Sequence, residues 1–258
     1  MRIHHLNCGT LRPPGGAMVC HVLLLEVDER LVLVDTGFGS ADVRDPRRLG
    51  PLRHVLRTAL RHEETAIAQI RALGHDPAAV SDIVLTHGDL DHAGGISDFP
   101  AAHVHLTAEE RLAIRRRRGP REALRYRPAH WPPRADVHGH APGEGRWYGF
   151  EGVVDLSQLA PGLLLVPLPG HTAGHAGVAL PTEGGWLLHA GDAAHSAASL
   201  LPGGARPGVH LRQGLLAHDT GALRRTQRRL TALATDAQEV RILTAHDRGS
   251  WERTRAGD

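Results

Sequence analysis

The chain has 258 residues, 41% of them hydrophobic and 22% charged, with a formal net charge of +2. This composition excludes a disordered chain and allows a buried core, and so small a net charge gives no argument for a nucleic-acid or anionic-membrane partner. Histidine is the compositional outlier, with 20 residues. The two cysteines, Cys8 and Cys20, are too few for a disulfide framework, which favours free thiols in a reducing cytosol.

The amino terminus lacks the apolar core of a signal peptide, and no apolar run approaches the ~20 residues needed to span a bilayer. We therefore expect a cytoplasmic protein without a membrane or nucleic-acid partner. We expect it to be a monomer or a homodimer.

In the first half of the chain, strands precede helices. Runs rich in β-formers predict strands at residues 21–27, 30–34, 82–86 and 103–106. Apolar periodicity predicts a helix over residues 63–73, ended by Gly74, while residues 40–60 read as loop with some helix. Thr107 and Glu110 have the spacing of a capping box and predict a helix that runs to Gly119.

In the second half, residues 119–150 are the least regular part, and we interpret them as a lid or substrate-wall loop in a single domain spanning 1–258. Strands are predicted at residues 162–168, 176–180, 186–190 and 240–244. A loop rich in glycine and proline is predicted at 199–214, and a helix at 220–235. Strands that first form hairpins and then alternate with helices predict an α/β layered domain.

The densest group of chemically active side chains follows the strand predicted at 82–86. Within six residues the chain places His87, Asp89, Asp91 and His92, and glycines behind them allow a sharp turn. Imidazoles and carboxylates this close together would repel or desolvate one another unless a cation held them. This segment therefore predicts a metal site.

Three later segments have the same local form, an apolar strand that ends in a loop with ligand-type residues. They contribute His171, Asp192 and His246. Strand ends are rigid platforms, so side chains placed just beyond them keep their geometry. We expect these segments to complete the shell of the cation.

The order and spacing of these residues resemble the metallo-β-lactamase superfamily, whose signature is Thr-His-x-His-x-Asp-His followed by single His, Asp and His ligands. The resemblance implies a four-layer αββα sandwich, an α/β fold, with a metal pair at one edge of its two sheets. It implies two ligand groups, bridged by Asp192: His87, residue 89 and His171 for one ion, and Asp91, His92 and His246 for the other.

One residue departs from the signature, because Asp89 stands where the family has its second histidine. A carboxylate can ligate zinc, but it reaches less far than imidazole and is harder, which moves preference toward Mn²⁺ or Fe²⁺. We expect two divalent metal ions, zinc in the first instance with Mn²⁺ or Fe²⁺ as alternatives, and direct ligation by Asp89. Ligation through water and a weakly filled site are the alternatives.

The mechanism that the resemblance implies is hydrolysis by a metal-bound hydroxide, which attacks an ester, thioester or lactone carbonyl. Asp91 is the expected proton shuttle to the leaving alkoxide. Asp35 and Thr86 are expected to hydrogen-bond the ligand imidazoles.

Within the superfamily, the best match is to the N-acyl homoserine lactonases, which implies a small-molecule lactone or ester substrate and a quorum-quenching role. The match rests on the short carboxyl-terminal end, the pair His246-Asp247, and Trp251. Several of those enzymes carry a tyrosine three residues past the bridging aspartate, where this chain has His195. We expect His195 either to donate the same hydrogen bond to the substrate carbonyl or to form part of the pocket wall.

Three alternatives remain open at this point. One is a thioester hydrolase like glyoxalase II, although that enzyme normally carries an extra helical domain. The second is a binding protein with an altered, non-catalytic metal site, which the substitution at Asp89 keeps open. The third is an iron-dependent oxidoreductase on the same scaffold.

Overall fold

Two sheets form the centre of the computed structural model, which describes residues 1–14, 16–201, 214 and 216–256. The first sheet contains, in spatial order, β1 (Arg2–Leu11), β2 (Met18–Val27), β3 (Arg30–Val34), β4 (Val80–Val84), β5 (His103–Thr107) and β6 (Asp136–His140). The second contains β12 (Val240–Leu243), β11 (Gly185–His189), β10 (Ala176–Thr182), β9 (Leu164–Pro167), β8 (Phe150–Asp155) and β7 (Gly145–Trp147).

Both sheets mix antiparallel and parallel pairs. In the first sheet β1, β2 and β3 are antiparallel neighbours, whereas β3, β4, β5 and β6 run parallel. In the second sheet the neighbours from β7 to β11 are antiparallel, and β12 is parallel to β11. Parallel strands end at the same edge of a sheet, so the loops that follow them lie side by side.

Helices lie between and after these strands. In chain order they are α1 (Ser40–Arg44), α2 (Leu52–Leu56), α3 (Ala66–Ala72), α4 (Leu90–Ala93), α5 (Ala108–Arg116), α6 (Gly119–Arg125), α7 (Thr220–Asp236) and α8 (Arg248–Ala256). The predicted helix at 63–73 begins only at Ala66, because the Thr65 hydroxyl caps it by accepting from the Ala68 amide. Among the described residues, no helix has the length and apolar character needed to cross a membrane.

An apolar core fills the space between the two sheets. Leu23, Leu25 and Val34 from the first sheet pack with Leu165 and Val178 from the second, and all are fully buried. Leu24, between Leu23 and Leu25, faces the other way and is buried as well. A strand buried on both faces reads as a continuous apolar run, which is why β2 and β3 are visible in the sequence.

Helices cover the outer faces of both sheets. On the first sheet, Ile70 of α3 and Ile114 of α5 pack in one cluster with the outward side chains of β2, β3 and β4. On the second, Leu230 and Leu233 of α7 pack against β9, β10 and β11. The layers therefore run helix, sheet, sheet, helix, which confirms the predicted αββα sandwich.

Several elements were not predicted, and most of them carry a solvent-facing side. Residues 119–150 are not one irregular loop, because α6, β6 and β7 lie within them. Histidine, glycine and arginine dominate these strands, so they lack the apolar run that marks a buried strand. Whether this segment forms a lid or substrate wall stays a prediction, as does the single domain. Residues 202–213 of the predicted 199–214 loop lie outside the described residues.

The helix predicted to reach Gly119 ends at Arg116. Arg117 adopts a left-handed conformation with φ of 43°, which closes the helix as its C-cap. The chain then starts α6 with Pro120 in its first turn, where a missing amide hydrogen costs nothing.

Candidate metal centre

The predicted ligands meet at one edge of the sandwich, and both sheets supply them. The loop after β4 carries His87 and Asp89 and leads into α4, which contains Asp91 and His92. The loops after β9, β11 and β12 carry the remaining three: His171, Asp192 and His246. Asp91 and His246, 155 positions apart in the chain, are thereby placed 3.5 Å from one another.

The first group has the spacing of a metal shell. Asp89 Oδ2 lies 3.3 Å from His87 Nε2 and 3.1 Å from His171 Nε2. Asp192 Oδ2 lies 3.4 Å from His171 Nε2 and 4.0 Å from His87 Nε2. Donor atoms around a tetrahedral zinc ion with normal bond lengths are about 3.3 Å apart. The four side chains therefore converge as a ligand set would.

The second group lies on the other side of Asp192. His246 Nε2 is 3.5 Å from Asp91 Oδ2 and 3.2 Å from Asp192 Oδ1. His92 Nε2 is 3.5 Å from the same Asp192 oxygen. Asp192 thus presents a different oxygen to each group, which is the arrangement expected of a bridging carboxylate.

Several polar atoms of these side chains have no hydrogen-bond partner. His87 Nε2, His92 Nε2, Asp89 Oδ1 and Asp192 Oδ1 are all buried and lack a hydrogen-bond partner. Buried polar atoms without partners are costly, by about 1–3 kcal/mol each and more for charged groups. Divalent cations would satisfy all of these atoms, so the residues fit the metal pair that the sequence predicts.

The far nitrogens of three imidazoles are fixed by hydrogen bonds, as expected for Asp35 and Thr86. His92 Nδ1 lies 2.8 Å from Asp35 Oδ2, and His87 Nδ1 lies 3.0 Å from Thr86 Oγ1. His246 Nδ1 donates to the Val19 carbonyl at 2.8 Å. Each bond holds a proton on Nδ1, so that Nε2 is the nitrogen that faces the site.

Backbone conformations around the site are unusual. Asp35 has a φ of 60°, a left-handed conformation that costs energy in a non-glycine residue and is typical of functional sites. Gly191 has a φ of 50°, and a Cβ there would lie 2.8 Å from His175 Nε2. That nitrogen accepts from the Asp192 amide at 3.0 Å, so a side chain at Gly191 would disturb the support of Asp192.

Neighbouring groups of opposite charge shift the pKa values of the ligand residues. Burial alone would raise the pKa of Asp192, but His246 and His92 hold it well below its usual range. Burial alone would lower the pKa of His246, but the Asp192 and Asp91 carboxylates raise it to about 9. At neutral pH Asp192 is therefore ready to bind a cation, whereas His246 must first release a proton.

The predicted catalytic residues both lie at this centre. Asp91 belongs to the second ligand group, through its approach to His246. His195 is buried, and its ring centroid lies 6.1 Å from that of His246. His175 and His189, by contrast, use both ring nitrogens in hydrogen bonds to the backbone, so they support the loops.

Glu110 is an organiser of the site that sequence reasoning missed. Its fully buried carboxylate accepts from the Gly88 amide at 2.9 Å, and from the Thr172 hydroxyl and Gly174 amide at 2.7 and 3.1 Å. It thus ties the first ligand loop to the loop of His171. The predicted capping box is only half formed, because the Thr107 hydroxyl accepts from the Glu110 amide while the Glu110 carboxylate turns inward.

Arg125 and Cys20 were also missed. The Arg125 guanidinium forms an ion pair with Asp89, at 3.2 Å between Nη1 and Oδ2. Cys20, free and buried, places its sulfur within 4.8 Å of ligand atoms of Asp91 and His246. Neither residue belongs to a recognisable motif. Both are revealed only by contacts between segments that are distant in the chain.

Solved structures with this fold include lactone hydrolases. An N-acyl homoserine lactone hydrolase, with the product N-hexanoyl-L-homoserine bound at its catalytic metal centre, has a TM-score of 0.72, with 99% of this chain and 96% of that chain aligned at 19% identity. AidC, described as a dizinc quorum-quenching lactonase, has a TM-score of 0.57 with 90% and 74% coverage, also at 19% identity. These likenesses concern the fold.

Sequence relatives extend over most of the chain. A probable metallo-hydrolase of Mycobacterium tuberculosis is 44% identical over 250 residues, covering 96% of this chain and 80% of the relative. The N-acyl homoserine lactonase AttM of Azorhizobium caulinodans is 31% identical over 232 residues, covering 85% and 78%. The model of the metallo-beta-lactamase superfamily matches residues 15–255. Fold, ligand geometry and sequence thus agree, and the chain belongs to the metallo-β-lactamase superfamily, whose fold implies the binding of divalent metal ions.

Proposed function

We propose that the protein is a metallo-hydrolase that binds two divalent ions, zinc in the first instance, and opens a lactone or cleaves a related ester. The observation that carries the proposal is the pair of ligand groups that share Asp192, one oxygen facing His171 and the other facing His246. Two adjacent shells of this kind suit a pair of ions that act on one substrate. The metallo-hydrolase name of the mycobacterial relative supports the same reaction class.

Bound divalent ions would acidify a water molecule and polarise the substrate carbonyl. The residues of the chain have separate tasks. Asp91 accepts the proton of the attacking water and passes it to the leaving alkoxide, since its carboxylate lies at the second group beside His246. His195, next to the His246 ring, donates a hydrogen bond to the substrate carbonyl. Asp35 keeps His92 in the tautomer that binds a cation.

The lactone class is favoured over other carbonyl substrates by the relatives. AttM, a lactonase by name, is 31% identical over 85% of this chain. In a solved lactone hydrolase of the same fold, a ring-opened product lies at the catalytic metal centre.

The test is a substrate panel with metal-loaded protein. N-acyl homoserine lactones of several chain lengths, simple γ-lactones, aryl esters and a glutathione thioester are incubated with protein reconstituted with Zn²⁺ or Mn²⁺. We expect lactones to gain the mass of one water, followed by mass spectrometry. Turnover of the thioester alone would favour the glyoxalase II-like alternative, and turnover of nothing would remove the hydrolase assignment.

Two aspartate variants make the assay specific. Asp192→Ala removes the side chain shared by both groups and is expected to abolish turnover. Asp236→Ala changes an exposed carboxylate at the end of α7 and should leave turnover unchanged. Equal loss in both variants would point to damaged folding and would count against the assignment of the site.

A further inference from the structure

Arg125 is buried against the candidate metal centre, although it lies outside every ligand segment. It is the last residue of α6, and its side chain is only 14% exposed. Nη1 lies 3.2 Å from Asp89 Oδ2 and donates to the His171 carbonyl at 3.1 Å, while Nη2 donates to the Leu216 carbonyl at 2.5 Å. The guanidinium is therefore held by three separate segments and cannot turn away from Asp89.

Asp89 itself is shared between this cation and the ligand imidazoles. The oxygen that faces Arg125 also lies 3.3 Å from His87 Nε2 and 3.1 Å from His171 Nε2. Its other oxygen is buried and has no hydrogen-bond partner. One oxygen of Asp89 is thus paired with Arg125, and the other is still available.

The charges of the centre explain why an arginine stands here. The two ligand groups contain three carboxylates, Asp89, Asp91 and Asp192, and the guanidinium contacts the first of them. Arg125 therefore cancels the charge that Asp89 adds relative to a histidine at the same position. Without Asp89 between them, a fixed guanidinium and a divalent cation would face each other across a few ångströms of protein, where like charges repel strongly.

We propose that Arg125 and Asp89 act as one unit, in which the guanidinium balances the charge of the Asp89 carboxylate at the first metal position. The inference rests on the proposed metal-dependent function. It concerns ion binding alone, so its test needs no substrate. A histidine at position 89 is compatible with the centre only when the guanidinium is removed as well.

The experiment is a double-mutant cycle read by metal binding. Asp89→His, Arg125→Met and the double variant are stripped of metal and titrated with Zn²⁺ against a chromophoric chelator, and Co²⁺ spectra report the coordination of each ion. We expect Asp89→His alone to weaken binding at one of the two positions at least tenfold. The double variant is expected to recover to within a few-fold of the unaltered protein. Arg125→Met alone should bind at least as tightly as the unaltered protein, because its carboxylate then faces the ion without competition.

Two further variants keep the cycle interpretable. Arg121→Met, one turn earlier on α6 and exposed, should leave binding unchanged. Arg125→Gln removes the charge but can still donate to a carbonyl, and it replaces Arg125→Met if that variant fails to fold. The inference is overturned if Asp89→His binds Zn²⁺ as tightly as the unaltered protein, or if removing the guanidinium does not restore it. Weaker Zn²⁺ binding in both Arg125→Met and Arg125→Gln would show that Arg125 only supports the local structure, and would also overturn the inference.

A lactone assay run beside the titrations separates this inference from the proposed function. Absence of turnover in the unaltered protein, together with the coupled Zn²⁺ affinities, would remove the hydrolase assignment and leave the Asp89–Arg125 unit intact. Lactone turnover without coupled Zn²⁺ affinities would support the hydrolase assignment and overturn the Asp89–Arg125 unit.

Discussion

Three candidate ligands, His87, His92 and His246, owe their ring orientation to a neighbour that is not itself a ligand. The Asp35 carboxylate accepts hydrogen bonds from the His92 ring and from both the amide and the hydroxyl of Thr86. In each case the donor atom lies 2.8 Å from the nearer carboxylate oxygen. Its left-handed backbone is the cost of bringing the carboxylate to this point. Substituting Asp35 should therefore act on the metal through His92.

Asp35→Asn is expected to lower Zn²⁺ affinity about 10–100-fold, the usual loss when a supporting partner of a ligand histidine is removed. The amide cannot serve as acceptor for all three of its present donors. A competition titration with a chromophoric chelator measures the change. Asp82→Asn is the matched control, because Asp82 is a buried carboxylate that bonds His105, outside the candidate site. A similar loss in both variants would contradict the role given to Asp35.

His246 makes the stability of chelator-treated protein depend on pH. Its pKa of about 9 in the folded protein lies above the ordinary value of 6.5, so the protonated ring stabilises the fold. That contribution is complete below pH about 6.5 and is lost as pH rises through about 9. We expect the difference in free energy of unfolding between the unaltered protein and His246→Gln, from urea titrations, to shrink over this interval. The exposed His54→Gln variant should show no such trend, and a flat difference for His246→Gln would be contrary to the account.

Which residues the sequence reveals depends on how local their signal is. His87, Asp89, Asp91 and His92 are neighbours in the chain, so their pattern is visible directly. Arg125 and Glu110 act through contacts between distant segments. Nothing in the sequence around Arg125 distinguishes it from the exposed arginines of the same helix, and the capping-box spacing of Glu110 predicts a helix cap, not a role at the site.

At the level of elements, α5 supplies the residue that connects two of the ligand loops. Its Glu110 carboxylate joins the loop after β4 to the loop after β9, and the Tyr126 hydroxyl completes its set of donors at 3.0 Å. Four donors on one fully buried carboxylate form a network that no nearby side chain can replace.

Glu110→Ala is expected to lower the free energy of unfolding by about 3–5 kcal/mol, because it leaves buried donors without an acceptor. It should also weaken Zn²⁺ binding, since both ligand loops lose their common anchor. Urea denaturation and metal titration provide the measurements. Glu109→Ala, the exposed neighbour on the same helix, should change stability by no more than about 0.5 kcal/mol. Equal effects at the two positions would show that Glu110 does not organise the loops.

The strands that are clearest in the sequence are those buried on both faces. The strands expected at 21–27, 30–34 and 176–180 are present as β2, β3 and β10. β1 and β6 are edge strands of the first sheet and bear polar and histidine side chains on a solvent-facing side. Edge strands depend on pairing with a neighbour far along the chain, so local apolar pattern does not reveal them.

For the whole molecule, the metal centre is a junction between the two sheets. The ligands at 87, 89, 91 and 92 follow a strand of the first sheet, and those at 171, 192 and 246 follow strands of the second. Ions bound by both groups would tie together two layers that otherwise meet through the apolar core around Leu165 and Val34. Metal binding is therefore expected to stabilise the entire fold.

Chelation should accordingly lower the midpoint of thermal unfolding. With free metal at about 100 times its dissociation constant, binding contributes about 2.7 kcal/mol, which corresponds to roughly 5–10 °C for a chain of this size. Differential scanning calorimetry with and without chelator measures the shift. Asp192→Ala should lose most of it, whereas Asp236→Ala should keep it. A midpoint unaffected by chelation would mean that no ion joins the sheets.

The fold class follows from the sequence because alternation of apolar runs and ligand loops is a global pattern. The four-layer αββα arrangement, by contrast, is implied by the resemblance to the superfamily and not by this pattern. The sequence does not carry the charge balance around Asp89, because that balance depends on Arg125 arriving from α6. The chemical identity of the centre is thus fixed by tertiary contacts as much as by its motif.

The most direct test is an anomalous-difference map of crystals of the metal-loaded protein, recorded at the absorption edge of the metal. We predict two peaks, one within about 2.2 Å of donor atoms of His87, Asp89 and His171 and the other near Asp91, His92 and His246, with Asp192 between them. A map with no peak among these side chains, or with a single peak that Asp192 does not touch, would contradict the account.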